Sequence, residues 1–190
     1  VVGTSSLRRE LMLKSRYPHL VVRSVRGNVG TRLSKLDAGQ FEALIMAGAG
    51  LKRLGLSDRI RKWLPPEVSL PAPGQGALGI EIRSNDERLA RLVAFLNDEK
   101  TRAACTAERA VSRALGGSCQ VPLAAYAVDR DGNLWLRALV GDHRTGRVLF
   151  AQECAPYAQA EELASRVVGQ LLKQGAQKVL DAVLSETRNS

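Results

Sequence analysis

The 190-residue chain predicts an α/β unit built on a parallel sheet, followed by a small α+β unit with a three-stranded antiparallel sheet and helices. Three observations carry this. Short apolar or β-branched runs alternate with amphipathic stretches over the first 60 residues. A Pro/Gly-rich connector then runs from 64 to 76. Beyond residue 120, three strand-like runs follow one another across hairpin-type turns, and two amphipathic helices close the chain.

Val1-Val2 reads as the tail of a strand, too short to be a whole one. Gly3-Thr4-Ser5-Ser6 turns into a helix to about Arg16, with a serine as N-cap and Tyr17-Pro18 as terminator. Leu20 to Val25 is β-branched and reads as the second strand. Arg26 to Thr31 is a turn, and a helix from Arg32 to Ala38 ends with Gly39 at C′. Ala43 to Ala47 is a third, fully apolar strand, and Gly48-Ala49-Gly50 leads into a helix through Leu54. After the connector, Ala77 to Ile82 reads as an isolated strand, followed by helices over Asp86–Leu96 and Glu99–Leu115, the second stopped by Gly116-Gly117. Strands are expected over Gln120–Val128, Leu134–Val140 and Val148–Glu153, with turns at Asp131-Gly132-Asn133 and Thr145-Gly146. Helices over Ala158–Gln174 and Ala176–Leu184 put Leu163, Val167, Leu171, Val179 and Val183 on one side.

Composition narrows the function classes. With 45% apolar and 25% charged residues the chain is neither disordered nor fibrous. No apolar run approaches the roughly 20 residues of a membrane span, and no signal-peptide pattern opens the chain. Three cysteines, Cys105, Cys119 and Cys154, are too few and odd in number for a secreted disulfide framework, which points to a reducing cytoplasm. The net charge of +9 is confined to residues 1–62, which hold thirteen Lys/Arg against four Asp/Glu, whereas the rest is balanced. Such a field attracts anions.

Ligands of an open parallel sheet bind at the carboxyl ends of its strands. There the first turn carries Arg8 and Arg9, the second Arg26 and Arg32, the third Lys52 and Arg53. Helix N-termini at the same edge add N–H donors, and the planar arginine fork suits carboxylates. Aromatics are only 4% and do not interleave with the basic residues, which disfavours nucleic acid. No Walker A or dinucleotide fingerprint occurs. A small molecule with several carboxylates fits best. Cys119 stands in a glycine-rich turn, open to a ligand, whereas Cys105 in a helix and Cys154 at a strand end read as small hydrophobes. No cysteine or histidine spacing suggests a metal, and His19 and His143 have no assigned role.

Five stretches in order resemble the porphobilinogen deaminase (hydroxymethylbilane synthase) family: Val2 to Arg9, Arg26 to Leu33, Leu51 to Gly55, Pro73 to Gly76 and Gly117 to Pro122. The resemblance implies a transferase of tetrapyrrole and haem biosynthesis that joins four porphobilinogen molecules with loss of ammonia. A dipyrromethane cofactor, held through a thioether, primes the chain, and by motif match its cysteine is Cys119. Thr4, Ser5, Ser6, Arg8, Arg9 and Asn28 then contact the cofactor, and Arg26, Arg32 and Arg53 the substrate carboxylates. Partners implied are porphobilinogen and linear polypyrroles, with a link to uroporphyrinogen III synthase; the whole protein is expected to be a monomer.

By the same resemblance, residues 1–74 form most of a second, periplasmic-binding-protein-like domain, truncated at its start. Residues 75–97 form a return segment of a first domain, and 98–190 the cofactor-bearing domain. The family's catalytic aspartate has no counterpart in this chain, which reads as a fragment inactive by itself, with Ala77 to Ile82 lacking a parent sheet. Two further readings stay open: a non-catalytic anion-binding module and a solute receptor.

Overall fold

The computed structural model describes residues 1–117 and 121–187. Strand β1 (Val2–Gly3) is the centre of a parallel sheet ordered β2-β1-β3, with β2 at Val22–Arg23 and β3 at Ala43–Leu44. Val2 lies opposite both Val22 and Ala43. Each strand is two residues long, shorter than the runs expected at 20–25 and 43–47. Crossover helices α1 (Leu7–Arg16), α2 (Val29–Asp37) and α3 (Gly48–Arg53) follow the three strands.

The Ser6 hydroxyl caps α1 by accepting from the Arg9 N–H. Helix α2 starts three residues before the expected Arg32. The Asn28 side-chain Oδ1 accepts from the Thr31 N–H at 2.8 Å, so Asn28 is the N-cap and the turn is correspondingly shorter.

The connector makes no regular strand or helix of its own. Residues 77–82 also form no strand, contrary to expectation. Leu78 is 86% exposed. A lone β segment without a neighbour leaves its backbone donors and acceptors to water and gains no ladder. Helix α4 (Glu87–Val93) is followed by a 3₁₀ turn over Ala94–Leu96 and has no buried residue; Phe95 is 82% exposed.

Residues from 98 onward differ in kind. Helix α5 (Glu99–Ala114) precedes an antiparallel sheet of β4 (Leu123–Arg130), β5 (Asn133–Asp142) and β6 (Arg147–Ala155), with α6 (Ala160–Lys173) and α7 (Ala176–Thr187) behind it. The register pairs Arg130 with Asn133 across the two-residue turn Asp131-Gly132, both at positive φ, the type that matches strand twist. All three strands were legible; each runs a residue or more past its expected end, because the ladder continues into the turns.

Leu134, Leu136, Ala138 and Val140 of β5 point to α5 and α6, meeting Ala107, Val111, Leu163, Val167 and Leu171 in one core. The opposite sheet face carries Tyr126, Arg137 and Leu139. On it the α/β unit docks through a small cluster of Leu11, Leu70, Ala124 and Leu139. The connector is tied to both units. Arg16 donates to the Glu67 carbonyl (2.9 Å), Arg137 to the Glu67 carboxylate (2.7 Å), and the Gly74 N–H to Glu108 (2.6 Å).

Candidate functional site

The site grows from the first strand-to-helix turn. Val2 is hydrogen-bonded to Val21, and Thr4 to Arg23, so the chain leaves β1 at the carboxyl edge of the sheet. Thr4 is buried, and its hydroxyl accepts from the Ser6 N–H. The Ser5 hydroxyl donates to the Val25 carbonyl, joining the first turn to the second. Much of the predicted polar set is therefore spent on building the turns, with Ser6 and Asn28 as caps.

Arg8, on the first turn of α1, is buried between the two units. Its guanidinium donates to the Leu70 carbonyl and, at 3.2 Å, to Gln75 Oε1, which also accepts from the Ala72 N–H. Burial, then the neighbouring charge of Arg9, brings its pKa down to about 10, so it remains a cation at neutral pH. Arg9 donates to the Ile45 carbonyl at 3.2 Å, and burial followed by the charge of Arg32 lowers its pKa too. Arg32 in turn donates to the Gly27 carbonyl at 2.8 Å. Arg8, Arg9 and Arg32 thus form a line of mutually repelling cations, none with a carboxylate partner among the described residues. A bound polyanion would relieve that repulsion.

Two cavities flank Arg8. One, of about 490 Å³, lies between Ser5, Ser6 and Arg8 on one side and Ser112, Gly117 and Val121 on the other. The second, of about 340 Å³, is bounded by Arg8, Arg9, Gly48, Trp63, Gln75 and Tyr126. Arg26 and Arg53 are exposed, and neither they nor Arg32 line either cavity, so of the five predicted arginines Arg8 and Arg9 face the cavities and Arg32 adds its charge beside Arg9. No Asp or Glu lines either cavity among the described residues.

Cys119 lies outside the described residues, but the segment's point of departure is well defined. Helix α5 ends in a Schellman motif: the Gly117 N–H reaches the Ser112 carbonyl at 2.7 Å and the Gly116 N–H that of Arg113. Gly116 has φ +62, and a Cβ on Gly117 would stand 2.2 Å from Ser112 Oγ and 2.9 Å from its carbonyl oxygen. The residues on both sides of the segment, Gly117 and Val121, face the larger cavity. Cys105 is half-buried, and burial raises its thiol pKa; Cys154 is exposed at the end of β6.

Sequence reasoning passed over Gln75 and Glu108. Glu108 is buried in α5 and accepts from the Gly74 N–H and, at 2.8 Å, from the Ala127 N–H, so it ties connector, helix and sheet together. Burial raises its pKa, while those two N–H bonds oppose the rise. A carboxylate in a helix reads by default as solvated; the available signal was its place beside the Ala103-Ala107-Val111 stripe, which is buried.

Two family models match the chain: "Porphobilinogen deaminase, dipyromethane cofactor binding domain" over residues 1–91 and "Porphobilinogen deaminase, C-terminal domain" over residues 102–173. Among curated proteins, the porphobilinogen deaminase of Paraburkholderia phytofirmans is 59% identical over 186 residues, covering 96% of this chain and 54% of that protein. That of Paraburkholderia phymatum is 58% identical, covering 96% and 57%, and that of Thiobacillus denitrificans 55% identical, covering 96% and 60%. The chain spans little more than half the length of these relatives.

Proposed function

The chain belongs to the porphobilinogen deaminase family, and from that premise we propose that it supplies the cofactor anchor and part of the carboxylate-binding surface of a hydroxymethylbilane-forming transferase. The observation that carries this reading is the larger cavity, where the arginine-bearing turn after β1 meets the ends of the Cys119 segment. A dipyrromethane bears four carboxylates, and the uncompensated line Arg8-Arg9-Arg32 suits such a group. When bound, that cofactor supplies the terminus on which the pyrrole chain grows.

The chain's own part is to hold and orient. The Cys119 thiolate provides the tether, the three arginines counter carboxylate charge, and Arg26 and Arg53 serve incoming units at the rim. Since no carboxylic acid lines either cavity among the described residues, proton transfer to the leaving amine has no candidate group there. We therefore expect the 190 residues by themselves not to form hydroxymethylbilane. Within the same reading, residues 1–74 are most of a periplasmic-binding-protein-like second domain, 75–97 a return segment of a first domain and 98–190 the cofactor-bearing domain. The whole protein acts as a cytoplasmic monomer whose product passes to uroporphyrinogen III synthase.

The test is the mass of the intact chain and of its Cys119 peptide after exposure to the preformed cofactor precursor. An adduct of two pyrrole units on Cys119, lost in Cys119→Ser, supports the reading. An adduct on Cys105 or Cys154 overturns the anchor. Carboxylate binding that is indifferent to Cys119→Ser, with no adduct, favours a simple anion-binding module instead. Hydroxymethylbilane formed by the 190 residues alone would refute the expected inactivity.

A further inference from the structure

At the other end of α1 lies a cavity that the carboxylate site does not use. It measures about 400 Å³ and separates Met12 and Arg16 from the outer face of the antiparallel sheet, with Glu67 of the connector at its side. Ser15, which also lines it, stands seven positions along α1 from Arg8, roughly 10 Å along the axis, and the cavity shares no lining residue with the two beside Arg8. The cavity is therefore distinct from the Arg8 crevice. Its wall is largely apolar, formed by Met12, Trp135, Leu139, Val148 and Phe150. Water is poorly held by such a surface, and the volume is within the range of small-ligand sites.

One cation interrupts that wall. Arg137 stands on β5 with its side chain only 6% exposed, its guanidinium 4.1 Å from the Trp135 ring centre and 5.3 Å from that of Tyr126. It is engaged by Glu67 through Nη1 at 2.7 Å, while its Nε–H has no acceptor. Glu67 itself is 63% exposed, on a segment without regular structure, so its carboxylate can turn into water at small cost. A buried cation held by one exposed carboxylate, at the edge of an apolar cavity, is a site in which that carboxylate stands in for another. We infer that this cavity binds a small, flat aromatic carboxylate, its ring against the Trp135, Leu139 and Phe150 wall and its carboxylate on Arg137 in place of Glu67. The ring buries apolar surface that Glu67 cannot, and the planar fork can donate two hydrogen bonds to a carboxylate where Glu67 accepts one.

Trp63 and Trp135 are the chain's two tryptophans, so Trp63→Phe leaves Trp135 as the sole tryptophan reporter inside the cavity. In that background 2-naphthoate is titrated against its neutral analogue 2-naphthamide, with Trp135 emission as the readout. Saturable quenching is expected, with naphthoate at least 10-fold tighter than naphthamide. Glu67→Gln, a change at an exposed side chain, removes the competing carboxylate and should tighten naphthoate several-fold while leaving naphthamide unchanged. Arg137→Gln should erase the preference for the anion. Equal affinity for both probes, no quenching, or naphthoate binding unchanged or weakened by Glu67→Gln would overturn the inference. Because Glu67→Gln is expected to tighten binding, its outcome decides the matter even where Arg137→Gln does not fold.

Discussion

Residues 98–187 and residues 1–97 are held in the folded state by different means. The first group closes around a continuous core in which Leu134, Leu136, Leu163, Val167 and Leu171 are fully buried. The second has three strands of two residues each and few buried side chains; Leu11 and Leu70 belong to a cluster completed by Ala124 and Leu139 of the other unit. The carboxylate site is therefore built on the part with the less independent core. Its geometry depends on docking: Arg8 is fixed by the Leu70 carbonyl and Gln75, and Gln75 by a connector that Glu108 anchors from α5. Sites drawn from low-stability segments are free to move, and here the freedom is limited by hydrogen bonds from the neighbouring unit.

The largest expected effect tests whether the second group can stand without the first. Leu136→Ala removes a fully buried side chain from the centre of β5 and should cost about 2–5 kcal/mol. Both units should then lose amide protection together, since the docking face belongs to the same strand. Leu11→Ala is the converse change. It creates a comparable void in the docking cluster, but hydrogen exchange should accelerate over residues 1–76 while β4, β5 and β6 keep their protection. Equal acceleration everywhere would show that the two units unfold as one, and the contrast drawn above would fail.

The same difference explains what could be read in the sequence. In the C-terminal unit, strands and helices are specified by alternation and by 3.6-residue stripes that face one core, and their positions were legible to within a few residues. In the N-terminal unit the order of strands, helices and the Ser6 cap was legible, but strand lengths were not, because pairing there ends where the neighbouring strands diverge. Residues 77–82 have strand composition and form none, since composition carries no information about whether a partner strand is at hand. The arginines were legible as a set, but which of them converge was not. Arg8 and Arg9 stand in the first turn of α1 against the connector, whereas Arg26 precedes the Asn28 cap of α2 and Arg53 ends α3, away from its N-terminus. Glu108 was illegible for a related reason: its two partners, Gly74 and Ala127, come from distant segments.

A smaller effect sharpens the dependence of the site on docking. Arg8→Met retains bulk but removes the guanidinium donor of the Leu70 carbonyl and leaves Gln75 Oε1 with the Ala72 N–H alone, so a stability loss of about 1–3 kcal/mol is expected together with weaker binding of a polycarboxylate. Arg9→Met should weaken binding to a similar degree with little change in stability, because Arg9 makes one carbonyl contact and is less buried. Thermal melts and titration with a tetracarboxylate separate the two. Identical profiles for both variants would mean that Arg8 has no special role in joining the units. Gly117→Ala, pressed against Ser112, should cost about 1–3 kcal/mol and slow modification of Cys119 by a thiol reagent or alter its extent, with Cys154 as the internal control.

The smallest effect distinguishes the units by acid. Asp129 accepts from Lys100 at 2.7 Å and from Tyr157, and its pKa is drawn down to about 2, from an ordinary 3.8. Asp142, bound by Arg144, also falls to about 2. A carboxylate whose pKa is lower in the folded state stabilises above its unfolded value, and that contribution is lost as pH falls through the folded one. The C-terminal unit should thus lose stability between about pH 4 and 2. Glu108 works in the opposite sense: its raised pKa favours the folded state at low pH and disfavours it as pH rises. Asp129→Asn should therefore flatten the acid limb of a melting-temperature profile, and Glu108→Gln should steepen the net loss on acidification by removing the opposing group. Because Asp129 is exposed to solvent, salt at about 1 M should reduce its contribution, whereas the response to Glu108→Gln should persist. A profile in which both variants respond alike to salt would place the two carboxylates in the same dielectric surroundings and contradict the burial that ties the connector to α5.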